Sequence, residues 1–249
     1  HSGRGVNGVS SKFAEMARAA QGITNSSFES NSFYDNPDYS SLWDVAMGYN
    51  VGLINAYGTD GNYVGCTEVL TDDNRRYVPG DLIQRSRQIL SGSKNDLLFN
   101  MALDFSNGFY LGFNIGVPYF GYENMERYTE SARVVEDFPI KFTYNDGSVV
   151  DTYFDNATYQ YNYSASGSGV YGKVGFIWLP FAGLRIGAAY QTPTAMDIEE
   201  TWIHSGRVSY ANGASYSGSS REGSYEYTLI TPRHYDFSVA YTFGRIGLV

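Results

Sequence analysis

The chain has 249 residues, enough for one large β domain or two ordinary ones. Its net charge of −9 argues against a nucleic-acid partner, which needs basic patches, and its single cysteine, Cys66, excludes an intramolecular disulfide framework. No run of about 20 apolar residues supplies a transmembrane helix, yet the mean hydropathy of −0.31 leaves a membrane barrel open, because half of each barrel strand faces inward.

Residues 1–40 carry no strand pattern. Ser10 or Ser11 can cap a short helix over SKFAEMARAAQG, with Phe13, Met16, Ala17 and Ala20 on one face and Gly22 placed to end it. TNSSFESNSFYDNPDYSS reads as a polar loop. SLWDVAMGYNVGLINAY fits two periods. Leu42, Val45, Ala46, Tyr49 and Leu53 suit a helix, whereas Trp43, Val45, Met47, Tyr49, Val51 and Leu53 suit a strand. Residues 58–80 read as loop and 82–90 as a further helical turn near Arg75, Arg76, Arg85 and Arg87.

From Asp96 strict alternation takes over. Leu97, Phe99, Met101, Leu103 and Phe105 share one face, and Asn100, Ala102, Asp104 and Ser106 the other. After Asn107-Gly108, Phe109, Leu111, Phe113, Ile115 and Val117 alternate with Tyr110, Gly112, Asn114 and Gly116, which makes a hairpin. A soluble sandwich can alternate too. Broad apolar residues on one face and small or polar ones on the other suit lipid outside and a lumen inside. KFTYNDGSVVDTYF reads as a hairpin turning at Asn145-Asp146-Gly147, followed by a ladder of Tyr159, Tyr161 and Tyr163. GVYGKVGFIWLPF, LRIGAAYQ and HYDFSVAYTF repeat the alternation, with turns at Ala182-Gly183 and Gly244-Arg245.

Short turns alternate with long connections at 121–168 and 194–234. That is the rhythm of outer-membrane barrels, which have short periplasmic turns and long extracellular loops. The expected fold is therefore all-β: an antiparallel transmembrane β-barrel, about six strands of it in this chain, with a helical extracellular insertion. Residues 1–95 become an extracellular loop region with short helices, which favours helix for 42–54, and 96–249 become barrel strands. Asn100, Asp104, Asn114, Lys173, Arg185 and Asp236 fall on the lumen-facing side. A lumenal salt-bridge network is the plain expectation for the charges; guidance of a carboxylate ligand is the sharper one. The expected location is the outer membrane of a Gram-negative bacterium.

FYLGFNIGVPYFGY (109–122), GLRIGAAYQTPTAMDIEETW (183–202) and TPRHYDFSVAYTFGRIGL (231–248) resemble the FadL/TodX family of outer-membrane transporters for hydrophobic compounds, more narrowly its Bacteroidetes branch. The resemblance covers most of 96–249. It implies a 14-stranded barrel plugged by an N-terminal hatch with an Asn-Pro-Ala motif, and passive uptake of small hydrophobic molecules such as long-chain fatty acids, without a cofactor. The chain departs from that pattern. Asn36-Pro37 is followed by Asp38, and the hatch and the terminal strands are missing, so the chain reads as a fragment. Under this reading Phe13, Met16, Leu42, Trp43, Val45 and Tyr49 are candidate capture residues for the hydrophobic ligand; the plain alternative is that they pack the insertion's own helices. Membrane lipid and, through the extracellular loops, a protein are the other expected partners. A surface receptor or accessory subunit of a secretion or uptake assembly is the second functional reading.

Enzymatic chemistry has little support. His1, His204 and His234 are scattered without metal-ligand spacing, and neither nucleophile elbow, P-loop nor dinucleotide fingerprint is present. Asp197, Glu199 and Glu200 read as a solvated loop face rather than a calcium site.

Overall fold

The computed structural model describes every residue except Asn74, 144–148, Gly244, Arg245 and Val249, and the backbone alone at 142, 143 and 246–248. In chain order its elements are β1 (Ser2–Asn7), α1 (Lys12–Ala19), α2 (Asn25–Glu29), α3 (Trp43–Asn50), β2 (Ile54–Ala56), β3 (Tyr63–Gly65), β4 (Val69–Leu70), β5 (Arg76–Tyr77), β6 (Leu82–Asp104), β7 (Phe109–Ala132), β8 (Pro139–Thr143), β9 (Val149–Trp178), β10 (Leu184–Gln191), β11 (Ala195–Tyr210), β12 (Ser215–Ser219), β13 (Gly223–Ile230), β14 (His234–Phe243) and β15 (Ile246–Leu248). The protein is mostly antiparallel β. One sheet runs β1-β6-β7-β9-β10-β14-β15, with β8 and β11 branching from β9, and β12 and β13 pairing with β11. The six strands read from the alternation are consecutive neighbours on this path.

Two compact units are seen. Unit 1 comprises residues 1–90, 124–163 and 202–223; unit 2 comprises 91–123, 164–201 and 224–249. Strands β6, β7, β9 and β11 contribute residues to both, as does β13 through Gly223.

Unit 1 holds the hydrophobic core, built on Phe13, Phe28, Met47, Leu53, Tyr63 and Phe154 among others. Helix α1 starts where the sequence places it. The Ser11 hydroxyl oxygen accepts from the Phe13 and Ala14 amides at 3.1 and 3.3 Å, satisfying donors that a helix start leaves open. Its Phe13, Met16, Ala17 and Ala20 stripe is buried. Gly65 is required beneath it, since a Cβ there would lie 2.7 Å from the Phe13 backbone. The ambiguous segment is helical over Trp43–Asn50, where Val45, Ala46 and Met47 face the core.

Unit 2 is different. Its strands bury little, and most of its large apolar side chains stand exposed on one face: Phe99 is 67%, Ile115 55%, Val239 62% and Phe237 82% exposed, with Leu98 and Ile177 exposed on the other. The turn after β6 spans Phe105 to Gly108, closed by Phe105 N–H donating to Phe109 O at 3.0 Å. Ser106 and Gly108 take left-handed φ of 59° and 77°, so the strained position falls one residue before the expected Asn107-Gly108 pair, on Ser106.

Several expectations are corrected. Residues 2–7 form an edge strand, and 82–90 are strand rather than helix, because β1 and β6 supply each other's backbone partners from Ser2↔Arg87 to Asn7↔Leu82. Tertiary pairing overrides the weak local pattern there. The segments 121–168 and 194–234, expected as long loops, are largely strand: β7 continues to Ala132, β9 begins at Val149, and β11 to β13 fill most of the second. The alternation that a half-buried strand should show is broken here, because polar Glu130 and Thr152 are buried while Val134, Val149 and Val150 are exposed. A short helix, α2, and two 3₁₀ turns occupy the expected loop at 24–41, the second capped by Asn36 ahead of Pro37. The β8–β9 hairpin pairs Thr143↔Val149 as its arms suggest; its turn at 145–147, like the turn at Gly244-Arg245, lies outside the described residues.

Candidate functional site

The register of unit 2 places its small and polar residues in rows. Ala189 of β10 stands opposite Gly175 of β9 and Asp236 of β14; Gly187 stands opposite Ile177 and Ser238; Gln191 stands opposite Lys173 and His234. Side chains along a strand alternate, so these rows share one face. Lys173 Nζ reaches Asp236 Oδ2 at 2.9 Å, a diagonal across the short Ala189 side chain. Asn114 donates to Asn100 Oδ1, and its own Oδ1 is buried without a partner among the described residues.

These residues line a recess of about 670 Å³ floored by Gly112, Gly175, Gly187, Ala102 and Ala189. A Cβ at Gly187 would lie 2.5 Å from Ser238 Oγ and one at Gly175 3.0 Å from the Ala189 Cβ, whereas one at Gly112 would meet only Gly175 O, at 3.8 Å. Of the residues expected on this face, Asn100, Asn114, Lys173 and Asp236 line the recess. Arg185 is on the same strand face two positions from Gly187, opposite Ala240. Asp104 is at the turn, where its Oδ1 accepts the Ser106 amide at 2.8 Å and holds that residue's left-handed backbone.

The opposite face of unit 2 is apolar over a limited height. On the β6–β7 hairpin the apolar strip runs from Phe105 and Phe109 to Leu97 and Tyr119; beyond it come Ser93, Gly121, Ser91 and Glu123, the last two joined by a 3.3 Å hydrogen bond. Across β9, β10 and β14 the same face carries Val174, Tyr190 and Tyr235, then Phe176, Ala188 and Phe237, then Trp178, Ile186 and Val239. Tyr190 and Tyr235 touch at 5.1 Å between centroids. On β9 this face turns to Ser168, Ser166 and Ser164.

The residues considered for ligand capture lie in unit 1. Phe13, Met16 and Val45 are in its core, and Leu42 and Tyr49 pack against that core half-buried. Tyr49 stacks on Phe28 at 5.2 Å. Trp43 is half-buried, with Tyr34 edge-on at 5.0 Å and Trp202 at 5.6 Å. Packing accounts for the side chains of Phe13, Met16 and Val45; Trp43 keeps partial exposure.

Two polar groups in unit 1 have partners that the sequence does not show. Glu130 is fully buried, and its carboxylate accepts from Ser11 Oγ (2.5 Å), the Lys12 amide (2.9 Å), Gln84 Nε2 (3.0 Å) and the Tyr128 hydroxyl (3.2 Å). Burial raises its carboxyl above the ordinary range, and those four donors oppose the rise. In the sequence it cannot be told from Glu123 or Glu126. His204 is the second: its Nδ1 is 2.8 Å from the Tyr159 hydroxyl, and burial lowers its tendency to take a proton. Cys66 is buried and its thiol is pushed up, as suits an inert core residue. Among the described residues no cluster of His, Cys, Asp or Glu has metal-site geometry.

Comparison with protein-family models gives no match, and a search of the curated proteins gives none.

Proposed function

We propose that unit 2 is part of the wall of an outer-membrane β-barrel of the FadL type, in a Gram-negative bacterium, and that the protein serves passive, non-enzymatic uptake of small hydrophobic molecules such as long-chain fatty acids. The observation that carries this reading is the bounded apolar strip. From the Phe105/Phe109 level to the Asn95/Tyr119 level is ten residue steps, about 33 Å along a strand. At a tilt of about 40° that spans roughly 25 Å, the height of the apolar band on outer-membrane barrels. A water-soluble sheet has no reason to expose Phe99, Ile115, Val239 and Phe237 together and then change to small and polar residues, Asn95 and Ser93 on β6, Gly121 and Glu123 on β7 and Ser168 on β9. The opposite face supports a lumen: glycines and alanines leave room, and its ion pair and amides need water or each other.

Uptake requires only that the lumen offer an apolar ligand a lower barrier than the polar outer leaflet does. The test is transport by the purified full-length protein in liposomes containing an entrapped fatty-acid reporter, alongside gradient fractionation of cell envelopes. Faster reporter response than in empty liposomes, with the protein in the outer-membrane fraction, is the expected result. Envelope localisation without transport would favour the second reading, a surface receptor or accessory subunit. One observation speaks for that reading: unit 1 uses Phe13, Met16 and Val45 for its own core, so its surface is freer to meet a protein than to hold a lipid. A stable second protein recovered with it at native expression would decide in that direction.

A further inference from the structure

Helix α1 is gripped at its first residue by two independent contacts. The Lys12 amide is held by Glu130 at 2.9 Å, and the Lys12 ammonium lies 4.5 Å above the centre of the Tyr159 ring. Tyr159 in turn places its hydroxyl 2.8 Å from His204 Nδ1. Tyr161 lies against the same imidazole at 4.9 Å between centroids. His204 is fixed on β11, its amide donating to Ser220 Oγ at 3.1 Å and its carbonyl accepting the Ser220 amide at 2.7 Å. The charged groups bearing on the imidazole are Lys12 of α1 and Asp44 of α3; on Tyr159, Asp44 and Glu126 of β7 act as well.

We propose that His204, Tyr159 and Lys12 form a proton-operated clasp on α1, closed while the imidazole is neutral and opened by proton uptake at Nδ1. A neutral imidazole has one acceptor nitrogen; in the closed clasp His204 is the Nε2–H tautomer, in which Nδ1, 2.8 Å from the hydroxyl, receives the tyrosine O–H. The imidazolium has two N–H donors and no acceptor, so Tyr159 must turn its hydroxyl and accept instead. The tyrosine keeps its own proton, since burial holds its pKa well above the ordinary value. The new positive charge faces the Lys12 ammonium, which it repels, and the Asp44 carboxylate, which attracts it. Both forces move the imidazole toward α3 and push Lys12 off the tyrosine ring. The Glu130 contact to the Lys12 backbone survives, so α1 stays helical in its ground state, and the lost side-chain anchor raises the population of its local opening. The inference concerns unit 1 alone and does not depend on the transport reading.

The test is amide hydrogen exchange over residues 12–19 of the intact protein in detergent, corrected for intrinsic rate, between about pH 7.5 and one unit below the His204 ring midpoint, which burial places under the ordinary imidazole value. Wild type is expected to exchange about tenfold faster at the acid end, the response to roughly one unit of pH below the midpoint. His204→Gln and Lys12→Met are each expected to be flat, one lacking the proton site and the other the repelled charge. Tyr159→Phe keeps the imidazole but removes its donor, so its midpoint moves to higher pH. Glu130→Gln keeps the wild-type response, which separates this clasp from titration of the buried carboxyl. A pH-independent wild type overturns the proposal, as does an unchanged response in Lys12→Met. Should His204→Gln fail to fold, Lys12→Met and Tyr159→Phe decide, with the His204 ring titration followed directly by carbon-13 histidine labelling.

Discussion

Phe99→Arg separates a lipid-facing strip from a merely exposed one. Phe99 is 67% exposed and lies beside the middle of the strip, next to the Asn100–Asn114 level. If that face meets water, exchanging an exposed aromatic for arginine changes stability by about 0.5 kcal/mol at most. If it meets hydrocarbon, an arginine near the bilayer midplane costs about 2–4 kcal/mol, falling to about 0–1 near the interfaces. That cost is a loss of roughly 30- to 900-fold in the folding equilibrium. The control is Ser93→Arg, on the same strand face but beyond the strip, for which about 0–1 kcal/mol is expected. Both are read by denaturant unfolding from phospholipid vesicles, followed by the fluorescence of the three tryptophans. Equal cost for Phe99→Arg and Ser93→Arg would refute the membrane reading of unit 2.

Glu130→Ala strands four donors in a buried site and is expected to cost about 3 kcal/mol in unfolding of unit 1. The wild-type carboxyl is raised in the folded state, so the native form binds its proton more tightly than the unfolded chain. Its contribution is therefore full below the ordinary carboxylate range and is lost as pH rises through the raised value, a slope that Glu130→Gln abolishes in unfolding measured across pH. Gly65→Ala forces a carbon to within 2.7 Å of the Phe13 backbone and is expected to cost about 3 kcal/mol, seen as a lowered midpoint in thermal unfolding. The Lys173–Asp236 pair is 38% and 64% exposed at its side chains, so Lys173→Met should cost under about 1 kcal/mol, whereas Lys173→Asp sets two carboxylates together and costs more. The swapped double variant Lys173→Asp/Asp236→Lys should recover most of that loss in the same unfolding assay.

Unit 2 was legible because its two faces carry chemically opposite side chains. Period-two alternation survives along 96–120, 169–178, 184–191 and 234–243, and the lining of the recess could be named from it. Unit 1 was legible only where a local rule acts, as at Ser11 capping α1 and the Phe13–Met16 stripe. Its strand segments were hidden. β1 is Gly-rich and makes its case through Arg85 and its neighbours on β6, which no local pattern reports. The ends of β7 and β9 carry Glu130 and Phe154 toward the core among polar neighbours, so their burial is decided by partners distant in sequence. His204 and Tyr159 are 45 positions apart, and nothing local links them.

The β6–β7 hairpin also shows how one short turn governs both units. The pairing set by Phe105 N–H donating to Phe109 O has the same phase where Arg133 N–H donates to Asp81 O at 2.9 Å. Strands of 23 and 24 residues are more than twice the roughly 9–11 that a bilayer requires. Such length normally invites slippage, because every step offers an equivalent ladder. Here three side-chain pairs set at the same phase oppose it: Asn100 with Asn114, Gln88 with Glu126, and Gln84 with Glu130. A slip of one residue would exchange Phe99 with Asn100 across the sheet, and it would also withdraw Gln84 from the carboxylate that holds α1. The register is thus fixed by two unrelated demands, a greasy face in unit 2 and a buried carboxylate in unit 1, which only one alignment of the hairpin can meet.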